Sequence, residues 1–353
     1  MNKVDGFLTN ALEKSSSDLH FISGDPARVR IHGSLTTLTQ EALTTDFVRD
    51  ALYEIMSGAL QNDFEKYDAV DFAYEIPEVS RFRVNVMRHL NGIGAVFRAI
   101  PAKALTLEQL DMPEVVSNLC KQTQGMILVT GKTGSGKSTT LAAMIDWINR
   151  HQTRHILTIE DPVEFVHQSQ QSLIRHREVG QHTLKFHNAL RAALREDPDV
   201  ILVGEIRDRE TLSTALEASQ TGHLVFGTLH TNSAVKTVER VLGMYPPDEQ
   251  ESVRRALSES LLGVIAQGLI RSTDAKRAAY HDILINTDAC KDYIQRGALD
   301  EVEEIMERSG FDGMVTMNQS LQALVEAGRV DGEAAIAVSL KPNELAQALR
   351  GRS

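Results

Sequence analysis

Gly131-Lys132-Thr133-Gly134-Ser135-Gly136-Lys137-Ser138 has the spacing G-x-x-x-x-G-K-[ST]. Those residue types suit one kind of chemistry, the holding of a polyphosphate. Glycines let backbone N–H groups curl around phosphate oxygens, and the first turn of a following helix adds its positive dipole end. Lys137 can reach β- and γ-phosphates, the Ser138 hydroxyl suits Mg²⁺, and Thr139 continues the same first turn. Flanking context gives the motif its weight. Met126–Thr130 is an apolar, strand-like run before it, and Ser138–Asn149 reads as a helix after it. Without those flanks a turn rich in glycine and serine would match the spacing by chance.

A second signal is an acid at the end of an apolar strand. Asp197-Pro198-Asp199 leads into Val200-Ile201-Leu202-Val203, which closes on Gly204-Glu205. Enzymes that split a nucleoside triphosphate place their metal- and water-handling acids at such strand ends. Gly204 stands where an Asp usually precedes the Glu, so one direct carboxylate ligand for Mg²⁺ is missing. Ser138, phosphate oxygens and waters would then complete the octahedron. Glu205 becomes the candidate base that orients or deprotonates an attacking water.

Glu160, Asp161 and Glu164 lie within five residues in Thr158-Ile159-Glu160-Asp161-Pro162-Val163-Glu164-Phe165. Carboxylates there can hold Mg²⁺ through water or position a nucleophile. A plain Asp161-Pro162 turn with a solvated Glu164 fits the spacing equally well. His223 and His230 flank the apolar run 224–229. A neutral histidine at a strand end can donate to a γ-phosphate. The seven-residue offset puts the two on opposite faces of a regular strand, which argues against one shared metal. Arginines count because many nucleotide sites are completed by one. The candidates are Arg81, Arg83 and Arg98 early in the chain, with Arg195 and Arg207 near the second acidic strand.

These residues need a scaffold, and the chain supplies alternating elements. Residues 1–103 read as an α+β module. A helix at 4–14 and strands at 18–22 and 28–32 are followed by two helices within 44–66 and strands at 69–74, 81–89 and 93–100. In Arg81-Phe82-Arg83-Val84-Asn85-Val86 the alternation puts both arginines on one face. Pro101 to Pro113 reads as a linker, with 104–113 as its body. Residues 114–270 then alternate helix 114–121, the loop strand, strand 156–160, helix 186–194, strand 200–203, helix 209–219 and strand 224–230. That order implies βαβ units around a mostly parallel sheet. Leu261–Ile270, an apolar run with two glycines, reads as a buried helix, and 271–353 as a mainly helical region.

Composition narrows the class. The 353 residues allow two domains, and 42% hydrophobic with 24% charged residues fits a globular protein. A net charge of −11 argues against a stable nucleic-acid binder. Cys120 and Cys290 are the two cysteines, with no C-x-x-C pair to clip zinc. Low cysteine use, no apolar leader at the N-terminus and no long apolar run lead to a cytoplasmic expectation without membrane spans.

Together the motifs are more specific than any one of them. Ile159–Glu164 resembles the "Asp box" of the bacterial secretion ATPases. Val200–Glu205 resembles their atypical Walker B, glycine included, and Gly222–Thr231 their "His box". Ser17-Asp18-Leu19-His20, Gly94-Ala95-Val96-Phe97-Arg98 and Leu257-Ser258-Glu259-Ser260-Leu261 are similar to the PilT family of type IV pilus retraction ATPases. The resemblance implies an α/β fold, with a PAS-like N-terminal domain followed by a RecA-like P-loop ATPase domain and a helical C-terminal tail. It implies a homohexamer with nucleotide between the two domains and Arg81, Arg83 or Arg98 reaching in. It assigns catalysis and metal handling to the acids at Glu164 and Glu205, and places His223 and His230 near the nucleotide or its coupling. ATP and Mg²⁺ would be the cofactors. An inner-membrane pilus platform protein would be the partner, making membrane association peripheral. The metal set that follows is Ser138, Glu164 and Glu160.

One departure opens a second reading. Where that family has Ala-Ile-Arg leading a C-terminal retraction motif, this chain has Ala289-Cys290-Lys291, which keeps a charge but not the forked donor. The protein is then either the retraction motor itself or a low-activity, nucleotide-binding accessory paralogue, like PilU, supporting another retraction ATPase. The four-cysteine zinc insertion common in extension ATPases is absent. A RecA-like DNA motor is disfavoured by the acidic balance and by the lack of basic–aromatic patterning.

Overall fold

The computed structural model describes residues 2–31, 33–100 and 103–351, so His32 and the linker start at Pro101 lie outside the described residues. The chain divides into two compact units, Met1–Lys103 and Ala104–Ser353.

The first unit contains α1 (Asp5–Glu13), β1 (Asp18–Ile22), β2 (Pro26–Ile31), β3 (Ser34–Ala42), α2 (Thr45–Ile55), α3 (Gly58–Tyr67), β4 (Ala69–Ile76), β5 (Ser80–His89) and β6 (Gly92–Ile100). Its strands form one antiparallel sheet in the order β3-β2-β1-β6-β5-β4. Alternation decides its two faces. Phe82, Val84 and Phe97 point into a core with Phe21, where Leu8, Val48, Leu52 and Phe64 of the helices cover them. α2 and α3 begin where Thr44 and Ser57 accept the amides of Phe47 and Leu60, each an N-cap. Polar residues take the other face. Across it Arg83 pairs in register with Arg98, Arg98 with Asp18, and Asp18 with Arg30. β3 is not apparent from the sequence, because its residues are mostly exposed and carry no apolar alternation.

The second unit contains α4 (Glu114–Cys120), β7 (Gly125–Thr130), α5 (Lys137–His151), β8 (His155–Glu160), β9 (Leu173–Glu178), α6 (Phe186–Ala193), β10 (Val200–Val203), α7 (Arg209–Gln220), β11 (Leu224–Leu229), α8 (Ala234–Leu242), α9 (Gln250–Ser260), β12 (Leu261–Arg271) and β13 (Arg277–Ile285). The helices α10 (Asp288–Arg296), α11 (Leu299–Arg308), α12 (Met317–Glu326), α13 (Gly332–Val338) and α14 (Pro342–Arg350) follow. The sheet order is β13-β12-β7-β11-β10-β8-β9, parallel except at β13. Both faces are covered. Met126 and Leu128 of β7 join a core with α6 to α9, while Ile127 and Val129 join one with α4 and α5. A sheet buried on both sides needs continuous apolar strands, which is why β7, β10 and β11 are wholly buried.

One expectation is corrected. Leu261–Ile270 is not a buried helix but most of β12, parallel to β7 and antiparallel to β13. A short apolar run does not separate a buried helix from a doubly covered strand. Its glycines carry the missing signal. A Cβ at Gly263 would lie 2.8 Å from the Leu284 oxygen, and one at Gly268 2.2 Å from the Tyr280 ring. The region after 271 begins with β13 and becomes helical only from α10. β9 is a further strand the sequence hides, a charged edge strand beside β8.

At the centre of β13, the buried Asp282 accepts the Ala234 amide of α8 at 2.7 Å and the Met317 amide of α12 at 3.1 Å. Burial pushes its carboxyl up to about 6. No helix among the described residues is long and apolar enough to cross a membrane.

Candidate nucleotide site

The parallel strands of the second unit deliver their loops to one end of the sheet, which is where such sheets place ligands. The phosphate loop runs from the end of β7 into α5. Gly131, Gly134 and Gly136 all adopt positive φ, at 148°, 79° and 90°. At Gly131 a Cβ would lie 2.3 Å from both the Gln267 carbonyl oxygen and Ser135 Oγ, so no other residue fits. The first helical bond runs from Thr140 N–H to the Gly136 carbonyl. The amides of Lys137, Ser138 and Thr139 therefore face outward from the helix N-terminus without intrahelical acceptors. Lys137 Nζ donates to the carbonyls of Gly131 and Lys132 at 2.9 and 3.2 Å, so its ammonium lies over the loop that Thr133 and Gly134 complete.

Glu205 leaves the end of β10 two strands away. Its Oε2 accepts from Arg207 at 2.6 Å and its Oε1 from His230 Nε2 at 3.0 Å. A carboxylate only accepts, so Nε2 of His230 carries the proton. The Arg207 guanidinium holds the Glu205 carboxyl below its ordinary range, with His230 adding to the effect against burial. Burial lowers Lys137, while the negative charges of Glu164 and Glu205 act in the opposite sense. The fold thus brings Lys137, Glu164, Glu205 and His230 into one electrostatic neighbourhood from four separate segments. Arg207 meets Glu205 within the same chain.

Gly204 has a steric explanation. A Cβ there would lie 3.1 Å from Glu160 Cα and from the Ile159 carbonyl oxygen, so any side chain at this position would press on the end of β8. Glu160 itself is turned into its own loop. Its Oε2 accepts the Glu164 amide at 3.3 Å, and its Oε1 is 3.8 Å from His176 Nδ1. Glu164 remains exposed. The peptide between Asp161 and Pro162 is cis.

His223 precedes β11, with Nδ1 3.0 Å from the Ala218 carbonyl, while His230 follows the same strand. The two histidines sit at opposite ends of β11, and only His230 reaches the end carrying the phosphate loop. Arg81, Arg83 and Arg98 belong to the first unit, where Arg98 Nε bonds Asp18 at 2.9 Å. Among the described residues no group of three or more His, Cys, Asp or Glu converges to hold a metal ion.

Several supporting residues escape a reading of sequence alone. Buried Glu178, at the end of β9, accepts the Val163 amide at 3.1 Å and pins the acidic loop. His176 binds Thr158 Oγ1 at 2.8 Å and accepts the His167 amide at 3.1 Å. Asn149 of α5 donates to the Gln168 carbonyl and accepts the Gln170 amide. Gln267 of β12 donates to the Ser135 carbonyl at 2.8 Å. All four lie outside the motifs, and only their position in the fold marks them.

Known proteins agree with this geometry. The family described as "Type II/IV secretion system protein" matches residues 1–346. The type IV pilus retraction ATPase PilT of Pseudomonas aeruginosa is 47% identical over 330 residues, covering 94% of this chain and 96% of that protein. The pilus ATPase PilU of the same organism is 37% identical over 335 residues, covering 95% and 88%. The crystal structure of the pilus retraction motor PilT with bound ADP superposes with a TM-score of 0.92 at 41% identity, covering 98% of this chain and 99% of that one. With the phosphate loop, the Gly204-Glu205 strand end and the Glu205–His230 pair in place, the chain belongs to the type II/IV secretion system protein family, among its PilT-type P-loop ATPases.

Proposed function

We propose that this chain is the motor subunit that hydrolyses ATP to withdraw type IV pili. The observation that carries the reading is the convergence of Lys137, Glu164, Glu205 and His230 at one end of the sheet, in a chain 47% identical to a retraction ATPase along nearly its whole length. Lys137 and the loop amides bind the phosphates. Glu205, kept ionised by Arg207, holds the attacking water through lone pairs left free by its two existing bonds. His230 donates to the same carboxylate and ties its position to the end of β11. Mg²⁺ takes few protein oxygens and keeps its waters, so Ser138 with Glu164 near by is a donor set that fits it. The ion would neutralise charge on the phosphates.

The working assembly in this reading is a homohexamer at the cytoplasmic face of the inner membrane, docked on the pilus platform protein. Arg81, Arg83 or Arg98 would complete a nucleotide site. A paralogous ATPase is a further partner. The accessory reading rests on Cys290 and Lys291, and their placement weakens it. Cys290 is fully buried in the core against α9, where a small apolar residue fits, and Lys291 bonds Asp288 at 3.0 Å on the helix surface. Expressed alone in a strain lacking its retraction ATPase, this chain should restore twitching. Rescue only alongside a second ATPase would favour the accessory role instead.

A further inference from the structure

One side chain outside the motif holds the apex of the phosphate loop. Gln267 lies on β12, beside β7, and is buried. Its Nε2 donates to the Ser135 carbonyl at 2.8 Å. Its backbone oxygen would sit 2.3 Å from a Cβ at Gly131, and its Nε2 3.0 Å from one at Gly136. Two of the loop glycines are therefore the space that Gln267 takes up. Its Oε1 and the Ser135 Oγ are both buried without a hydrogen-bond partner among the described residues. Buried polar atoms without partners are rare, and each calls for a cause. Here both belong to one contact against the loop that binds phosphate.

The trans peptide supplies the mechanism. Its C=O and N–H lie in one rigid plane and point in opposite directions. With the Ser135 carbonyl turned toward β12, the Gly136 N–H is turned away from β12 and into the loop. That amide has no backbone acceptor among the described residues. We propose that Gln267 is a positioning residue for the polyphosphate. It fixes the Ser135–Gly136 peptide so that the Gly136 amide meets the β-phosphate of a nucleoside di- or triphosphate. Gln267 touches neither the nucleotide nor the attacking water in this assignment. Its effect is selective for ligands that carry a second phosphate. The inference rests on the ATPase reading and deepens it.

The test uses the full chain with Gln267→Leu and Gln267→Met, both of which remove the donor while keeping most of the side-chain volume. Affinities for ADP and AMP are measured by calorimetric competition for wild type and both variants. ADP should weaken about tenfold or more, as for a lost bond to a charged group, while AMP changes by less than about twofold. The preference for ADP over AMP then collapses. Equal weakening of both nucleotides, or ADP binding within about threefold of wild type, overturns the assignment. Should Gln267→Leu fail to fold, Gln267→Met decides, and failure of both assigns Gln267 to sheet packing instead. Lys137→Ala separates the two levels. If it leaves ADP binding intact, the nucleotide reading itself falls; if it abolishes binding while the Gln267 variants do not, only the positioning role falls.

Discussion

Glu205 and His230 meet at 3.0 Å across the ends of β10 and β11, each carried there by a strand that is buried along its whole length. The pair joins the acid of one motif to the histidine of another. Because β10 and β11 are adjacent and parallel, with Val203 opposite Gly227, any shift between them changes this contact.

Replacing Glu205 by Gln preserves its shape and removes its charge. Turnover of ATP should fall roughly 100-fold or more, while nucleotide affinity stays near wild type. Steady-state phosphate release combined with nucleotide titration separates the two effects. Near-normal turnover would remove Glu205 from the chemistry.

The pH profile should depend on Arg207. The guanidinium beside Glu205 is the largest influence holding the carboxyl below its ordinary range. A group with a depressed value stays ionised until the pH falls through that value. The acidic limb of the wild-type rate profile should therefore lie below the usual carboxylate range, and Arg207→Gln should move it upward. An unchanged limb would show that another group sets it.

Gly204→Asp, which restores the usual acid, should harm the protein. Its Cβ would press on the Glu160 Cα and the Ile159 oxygen at 3.1 Å, both backbone atoms that give little. The strain should cost about 1–3 kcal/mol and lower the melting temperature. Its Mg²⁺-dependent turnover should not exceed that of wild type. Higher turnover at unchanged stability would mean that the missing carboxylate, and not the approach of β8, governs this position.

Asp282 should give stability an unusual slope. Its carboxyl is raised to about 6 from 3.8, chiefly by burial, with Glu303 raising it further and the two amides and Lys341 opposing. The folded state then binds more protons than the unfolded state between those values, so stability falls as pH rises through them. The shift corresponds to roughly 3 kcal/mol. Urea unfolding of wild type and Asp282→Asn from pH 4 to 7 should show the wild-type advantage shrinking by about that amount. A difference independent of pH would mean that Asp282 does not change its ionisation over this range.

The local features were legible in the sequence because local rules create them. Glycine spacing fixes where a backbone can curl, so residues 131–138 announced a phosphate loop. Strict alternation exposed the two faces of β5, and continuous apolar runs exposed β7, β10 and β11. Partners far apart in sequence were beyond those rules. The sequence already set His223 and His230 at the two ends of one strand, and only the fold showed that His230, and not His223, meets Glu205. Gly204 reads as a lost metal ligand in the sequence, and only the fold showed how closely the end of β8 approaches it. The strand β12, read as a helix because a doubly covered strand has no polar face to mark its period, carries Gln267 to the loop apex across 132 residues of chain. Spacing within a segment determined which residues could do the chemistry. The parallel register of buried strands, a non-local property, decided which of them meet.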